Sequence, residues 1–252
     1  VAQSPSFLIK ELQKQFQLFG ESPYEFSDEY NLQKNLCDNI RFIFGPPGTG
    51  KTTYLANEEI KKLITENHNV RILIVTPTNK AADVLTLRIM DEFGESDQYK
   101  NWLFRYGFTG DDKIEKNEIF QGREFDIFDI QKCAVVTTMA RVPYDYFINS
   151  ARKRIYLRSV DWDYIIVDEA SMIPLVQMIY LLYAKKPKEF IIAGDPFQIE
   201  PTTAVVEWKN ENIYTLVHLN DFSETVETTP HSYNVKLLMT QYRSIESIGE
   251  VF

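Results

Sequence analysis

The residues with the most obvious chemistry form one run, Gly45-Pro46-Pro47-Gly48-Thr49-Gly50-Lys51-Thr52-Thr53. It fits G-x-x-x-x-G-K-[ST] and lies between an apolar run and a helical pattern, the setting in which that spacing binds phosphate. Glycines let a loop take positive φ and turn its amides toward a common centre. The N-terminus of the following helix adds positive partial charge. In this geometry Lys51 reaches the β- and γ-phosphates of a triphosphate such as ATP, and the Thr52 hydroxyl ligates Mg²⁺. A second set is Asp168-Glu169-Ala170-Ser171, directly after another apolar run. A carboxylate there is costly unless a cation or hydrogen bonds hold it. Asp168 is expected in the Mg²⁺ shell, and Glu169 to orient or deprotonate an in-line water. Taken alone, the pair also reads as a helix N-cap.

Three further segments carry weaker signals. Gly194-Asp195-Pro196-Phe197-Gln198-Ile199-Glu200-Pro201 offers Gln198 as a neutral amide able to sense a γ-phosphate or its water, or is simply a turn rich in Gly and Pro. Thr76-Pro77-Thr78-Asn79-Lys80 supplies hydroxyl, amide and ammonium donors that suit backbone phosphates of a nucleic-acid strand, or an ordinary helix cap. Thr137-Thr138 carries the same ambiguity. In Thr240-Gln241-Tyr242-Arg243-Ser244, Arg243 could answer γ-phosphate charge and Tyr242 could stack on a base. The plain alternative is the start of a surface helix.

These segments need a scaffold. Five short apolar runs supply it: Ile40–Phe44, Val70–Val75, Ala134–Thr137, Tyr164–Val167 and Phe190–Ala193. Unbroken apolar runs of this length read as strands buried on both faces. Helical patterns over Thr52–Glu66, Lys80–Phe93 and Leu175–Tyr183 separate most of them. Strand alternating with helix predicts an α/β fold, a parallel sheet flanked by helices. Ligands of such sheets bind beyond the carboxyl ends of the strands, where each of these segments falls. Residues 1–39 are expected to add a helical segment packing on the core, with Phe7, Leu8, Leu12, Phe16 and Phe19 at helical spacing. Residues 94–131, acidic and aromatic, read as an inserted accessory subdomain, and 202–236 as an irregular connector.

Composition excludes several classes. The chain has 252 residues, 44% hydrophobic and 25% charged, with a formal charge of −9. An acidic balance opposes tight stand-alone binding of nucleic acid, although a local basic groove remains compatible with it. Two cysteines, Cys37 and Cys133, preclude a disulfide scaffold and fit a reducing compartment, cytoplasmic or nuclear. No apolar run approaches the ~20 residues of a membrane span. The N-terminus lacks the pattern of a signal peptide. The chain starts at Val1 and stops at Phe252 inside an expected helix, as a piece of a longer protein would. On residues alone, another kind of P-loop ATPase, loader-type or kinase-like, and a nucleotide-binding interaction module stay open.

In this order the segments resemble the first RecA-like, P-loop NTPase domain of superfamily 1 helicases. The resemblance runs through GPPGTGKTT, TPTNKAAD, VVTTMAR, DEAS, GDPFQIEP and QYRS, from about Arg41 to Ser247. Its flavour is that of the branch containing the nonsense-mediated-decay RNA helicase and its DNA-acting relatives, and also of RecD-like enzymes. It implies ATP with Mg²⁺ and movement 5′→3′ along a single strand; DNA is slightly favoured over RNA on general frequency alone. It implies that Gln198 senses the γ-phosphate, that Arg243 contacts it, and that Tyr242 stacks on adenine. It implies a strand track over Thr76, Pro77, Thr78, Asn79, Thr137 and Thr138. Three departures are visible. Gln33, the nearest candidate for an adenine-reading glutamine, lies closer to Gly45 than the pattern sets. Ile199-Glu200-Pro201 follows Gln198 where the branch commonly has Leu-Pro-Pro. Nothing after Ser247 supplies the second RecA-like domain with its own arginine finger.

Overall fold

The computed structural model describes residues 39–94, 97–198, 201, 211–217, 219 and 234–242. The expected N-terminal helical segment, Gln33 and Arg243 lie outside these residues. Among the described residues, eight strands form one parallel sheet in the order β10-β1-β9-β8-β2-β5-β3-β4. The strands are β1 (Ile40–Phe44), β2 (Val70–Thr76), β3 (Leu103–Tyr106), β4 (Phe120–Gln121), β5 (Lys132–Thr138), β8 (Tyr164–Val167), β9 (Glu189–Gly194) and β10 (Asn234–Leu237). Between β5 and β8 a small antiparallel hairpin, β6 (Tyr146–Ile148) with β7 (Arg154–Tyr156), stands apart from the sheet.

Alternation along each strand divides the core. Ile43, Ile72, Ile74, Val136 and Ile166 pack on one face against helix α1, continuous over residues 51–66, and helix α2 (Asn79–Glu92). Phe42, Leu73, Val75, Val135, Ile165 and Ile192 pack on the other against helix α3 (Leu175–Ala184) and the short helix α4 (Ile213–Val217). A strand buried on both faces must be apolar at every position, which is why these five runs are unbroken. Helix α1 contains a π segment over Leu55–Ile60. Within it the buried Glu59 faces Arg41 of β1, which also pairs with Glu189 of β9 at 3.0 Å. One guanidinium thus ties α1 to two neighbouring strands.

The stretch 94–131, which the sequence reads as an inserted accessory subdomain, is described at 94 and 97–131. It extends the main sheet: β3 pairs with β5, and β4 with β3. Its Trp102 and Leu103 join the core on one face, and Phe104, Tyr106 and Ile127 the core on the other. The cause is a fully buried arginine in β3. Arg105 Nε donates to Asp83 of α2 at 2.8 Å, and its other nitrogens donate to the carbonyls of Tyr106 (2.7 Å) and Phe108 (2.6 Å). A charge in the middle of a strand hides the strand from an apolar pattern, yet once paired it pins that strand to the body. The expected connector likewise carries the described helix α4, and β10 begins within it.

Candidate functional site

Because all eight strands run parallel, the loops after β1, β9, β8, β2 and β5 emerge at one edge. The loop after β1 is the Gly-rich run. Gly48 and Gly50 have φ of 86° and 78°, the left-handed region that side chains resist. Gly50 is the residue from which α1 starts, and the first helical bond is donated by Tyr54 N to Gly50 O at 2.8 Å. The amides of Lys51, Thr52 and Thr53 are therefore first-turn donors without intrahelical acceptors, at the positive end of the helix. Thr49 Oγ1 donates to Pro46 O at 2.8 Å and tightens the turn. Lys51 is buried, and its Nζ lies against the loop, donating to Gly45 O (2.7 Å) and Pro46 O (3.3 Å).

Strand β9 lies between β1 and β8, so the Asp168-Glu169 turn sits one strand away from the loop after β1. α1 closes the gap: Thr52 Oγ1 donates to Asp168 Oδ2 at 3.3 Å. Asp168 is 2% exposed, and burial, then the charge of Glu169, pushes its carboxyl up to about 7. The Glu169 amide, the Lys51 charge and the Thr52 hydroxyl offset that burial only in part. A hydroxyl and a carboxylate oxygen on adjoining elements are the oxygen donors that a hard cation such as Mg²⁺ takes from protein, so these residues fit it. Glu169 stands at φ 53°, and its Oε2 is buried without a hydrogen-bond partner among the described residues.

Other predicted residues meet different fates. Gln241 Nε2 donates to Pro47 O at 2.6 Å, and Tyr242 N to Gly48 O at 2.9 Å. The Tyr242 ring is 76% exposed and lies against Gly50, where an added Cβ would sit 3.6 Å from it. Sequence reasoning gave Gln241 no role, although its distance from the loop along the chain collapses to a direct contact. Gln198 is half-buried in the turn after β9, its amide donating to Asp195 O at 3.2 Å.

The residues of the expected strand track lie at the ends of β2 and β5. Thr76 and Thr137 have no accessible surface and Thr138 has 6%, and Thr76 Oγ1 donates to Thr78 O at 2.9 Å. Thr78 caps α2, accepting from Ala81 N at 3.1 Å, the helix-cap alternative. Pro77 and Asn79 remain half-buried at the edge, with Thr78 and Lys80 exposed beside them.

Comparison with known proteins decides the family. Residues 29–204 match the family described as AAA domain. The chain belongs to it. Within that family this AAA domain has the motif order of a superfamily 1 helicase RecA-like domain. It is 26% identical over 227 residues to the RecBCD enzyme subunit RecD of Buchnera aphidicola subsp. Schizaphis graminum, covering 86% of this chain and 34% of that one. It is 40% identical over 63 residues to the probable RNA helicase armi of Drosophila melanogaster, covering 25% of this chain and 5% of that one. Among solved structures, an arterivirus nonstructural protein 10 (helicase) with DNA is similar over 86% of this chain and 40% of that one, at a TM-score of 0.46 and 11% identity. The AAA domain spans well under half the length of the curated relatives it matches.

Proposed function

We propose that this AAA domain is the N-terminal ATP-binding motor domain of a nucleic-acid helicase or translocase. It binds ATP with Mg²⁺ and hydrolyses it at a useful rate when a second RecA-like domain completes the cleft. The observation that carries this reading is the meeting of three elements at one edge: the Gly50–Thr53 helix start, the Lys51 ammonium, and Thr52 in contact with the desolvated Asp168. The first-turn amides and Lys51 hold the phosphates. Thr52 and Asp168 would hold Mg²⁺, which would supply positive charge to the phosphates. Glu169, beside Asp168, orients the water opposite the leaving group, and Gln198 lies in the neighbouring loop to sense the γ-phosphate. Tyr242, exposed over the loop, offers a face for the adenine. Arg243, next in the chain, is assigned to the γ-phosphate. The partner is single-stranded nucleic acid, with DNA the first substrate to test and 5′→3′ the first direction. Its track runs over Pro77, Thr78, Asn79 and Lys80.

The test is isothermal titration with a non-hydrolysable ATP mimic and Mg²⁺. Binding to the native chain and none to Lys51→Ala is expected. Equal affinity of the two removes Lys51 from its role and the reading with it.

A further inference from the structure

Helix α4 places a tyrosine beneath the catalytic turn. Asn212 anchors it: Oδ1 accepts from Tyr214 N at 2.9 Å, and Nδ2 donates to Ser171 O at 3.4 Å. The helix start is thereby tied to the segment that follows Glu169. The Tyr214 ring packs against Phe42 of β1, with centroids 6.0 Å apart. Its hydroxyl lies at the end of β9. A Cβ added to Gly194 would stand 2.6 Å from that oxygen, 3.1 Å from Ala170 N and 3.4 Å from Ser171 N. The phenol oxygen therefore shares one small space with the turn after Glu169.

Tyr214 is 1% exposed, and its hydroxyl has no hydrogen-bond partner among the described residues. Two more polar atoms nearby in the chain's fold share that condition: Glu169 Oε2 and Ser171 Oγ are also buried and unpartnered. Unmade hydrogen bonds of this kind are costly, and native structures rarely keep them without a reason. A phenylalanine would fill the same volume without the cost. Burial, then the charges of Glu169, Asp168 and Asp195, holds the phenol well above its ordinary pKa, so it is always a donor. The carboxylate is the complementary acceptor. Donor and acceptor are buried, packed about one turn and unjoined.

Resting on the assignment of Glu169 above, we propose that Tyr214 is a positioning residue whose hydroxyl donates to the Glu169 carboxylate when nucleotide is bound, leaving the other carboxylate oxygen aimed at the attacking water. Glu169 is half-exposed and turns by side-chain rotation, whereas Tyr214 is fixed by α4 and Phe42. The tyrosine therefore sets the place and the glutamate moves to it.

The experiment uses the complete protein with saturating single-stranded DNA. Tyr214→Phe is expected to lower kcat about 10–100-fold, the usual cost of removing a group that orients a reactive one. KM and the affinity for an ATP mimic should stay unchanged, and Tm should hold or rise. Glu169→Gln is the control, slowing turnover while keeping nucleotide binding, and adding Tyr214→Phe to it should cost little more. If Glu169→Gln slows turnover and Tyr214→Phe leaves kcat at the native value, the positioning role is overturned and the assignment of Glu169 stands. If Glu169→Gln leaves turnover intact, that assignment fails and takes the positioning role with it. A lower Tm for Tyr214→Phe shows that the hydroxyl is bonded elsewhere and also overturns the proposal.

Discussion

At the scale of single residues, the site works because small groups stand where large ones would collide. Gly194 is the clearest case, since its backbone is packed against the amides of Ala170 and Ser171 and the hydroxyl of Tyr214. Gly194→Ala forces atoms apart in a rigid corner, and overpacking of this kind costs roughly 1–3 kcal/mol. The expected outcome is a lower urea midpoint with weakened nucleotide binding; an unchanged midpoint shows that the corner yields. Much of this scale was legible in advance. Lys51, Thr52 and Asp168 are local in sequence and obey spacing rules, and the structure brings all three together. Tyr214 was not legible, because its meaning depends on Gly194 and Ala170, which lie far from it along the chain. Thr76 and Thr137 read as strand contacts because a hydroxyl near a strand end looks available; the structure keeps both within β2 and β5, where Val75 pairs with Thr137 and Thr76 with Thr138, and neither is exposed.

At the scale of elements, charged pairs decide how strands and helices are tied. Arg41 on β1 holds Glu59 in the π segment of α1 and Glu189 on β9, which hold its guanidinium well above its ordinary pKa. Arg41→Ala leaves the buried Glu59 without a partner, at a cost of about 3 kcal/mol. Pairing it with Glu59→Gln should recover much of that loss in chemical denaturation, because the two changes share one interaction. Behind the sheet, Asp145 gathers Arg141 Nη1 at 2.6 Å, Arg123 Nε at 3.1 Å and the Tyr146 amide at 3.1 Å. Burial alone would raise its pKa; the hydrogen bonds outweigh burial and set it below the ordinary value. The stabilisation is fully present above about pH 4, the unfolded carboxylate value, and is lost as pH falls through the lower folded value. Stability curves of native protein and Asp145→Asn should therefore differ at pH 7 and converge near pH 2. Parallel curves throughout would mean that the network contributes nothing through its charge. These ties also explain the limits of sequence reading. The five central strands were legible as apolar runs, but β3 carries Arg105 at its centre and β10 is only four residues, Asn234–Leu237. Neither offers an apolar run.

At the scale of the whole molecule, the proposed function places the nucleotide in a cleft of which this domain supplies one wall. An arginine supplied from the opposite wall of such a cleft is worth about 10³–10⁵ in rate. The 252-residue chain is therefore expected to bind ATP weakly, hydrolyse it very slowly and leave duplexes intact. Robust turnover by the purified chain, stimulated by single-stranded DNA, would contradict this. A strongly acidic surface agrees with a strand that is held between domains and not by this one alone.

The polypeptide leaves β10 at the sheet edge and runs along the Gly-rich loop. Leu238 N donates to Phe44 O at 2.8 Å, and Tyr242 N to Gly48 O at 2.9 Å. Residues 238–242 run beside the Gly-rich loop, bonded just before it at Phe44 and within it at Pro47 and Gly48. A displacement of Tyr242 is therefore felt at the backbone of Pro47 and Gly48, so that this strap and the loop move together.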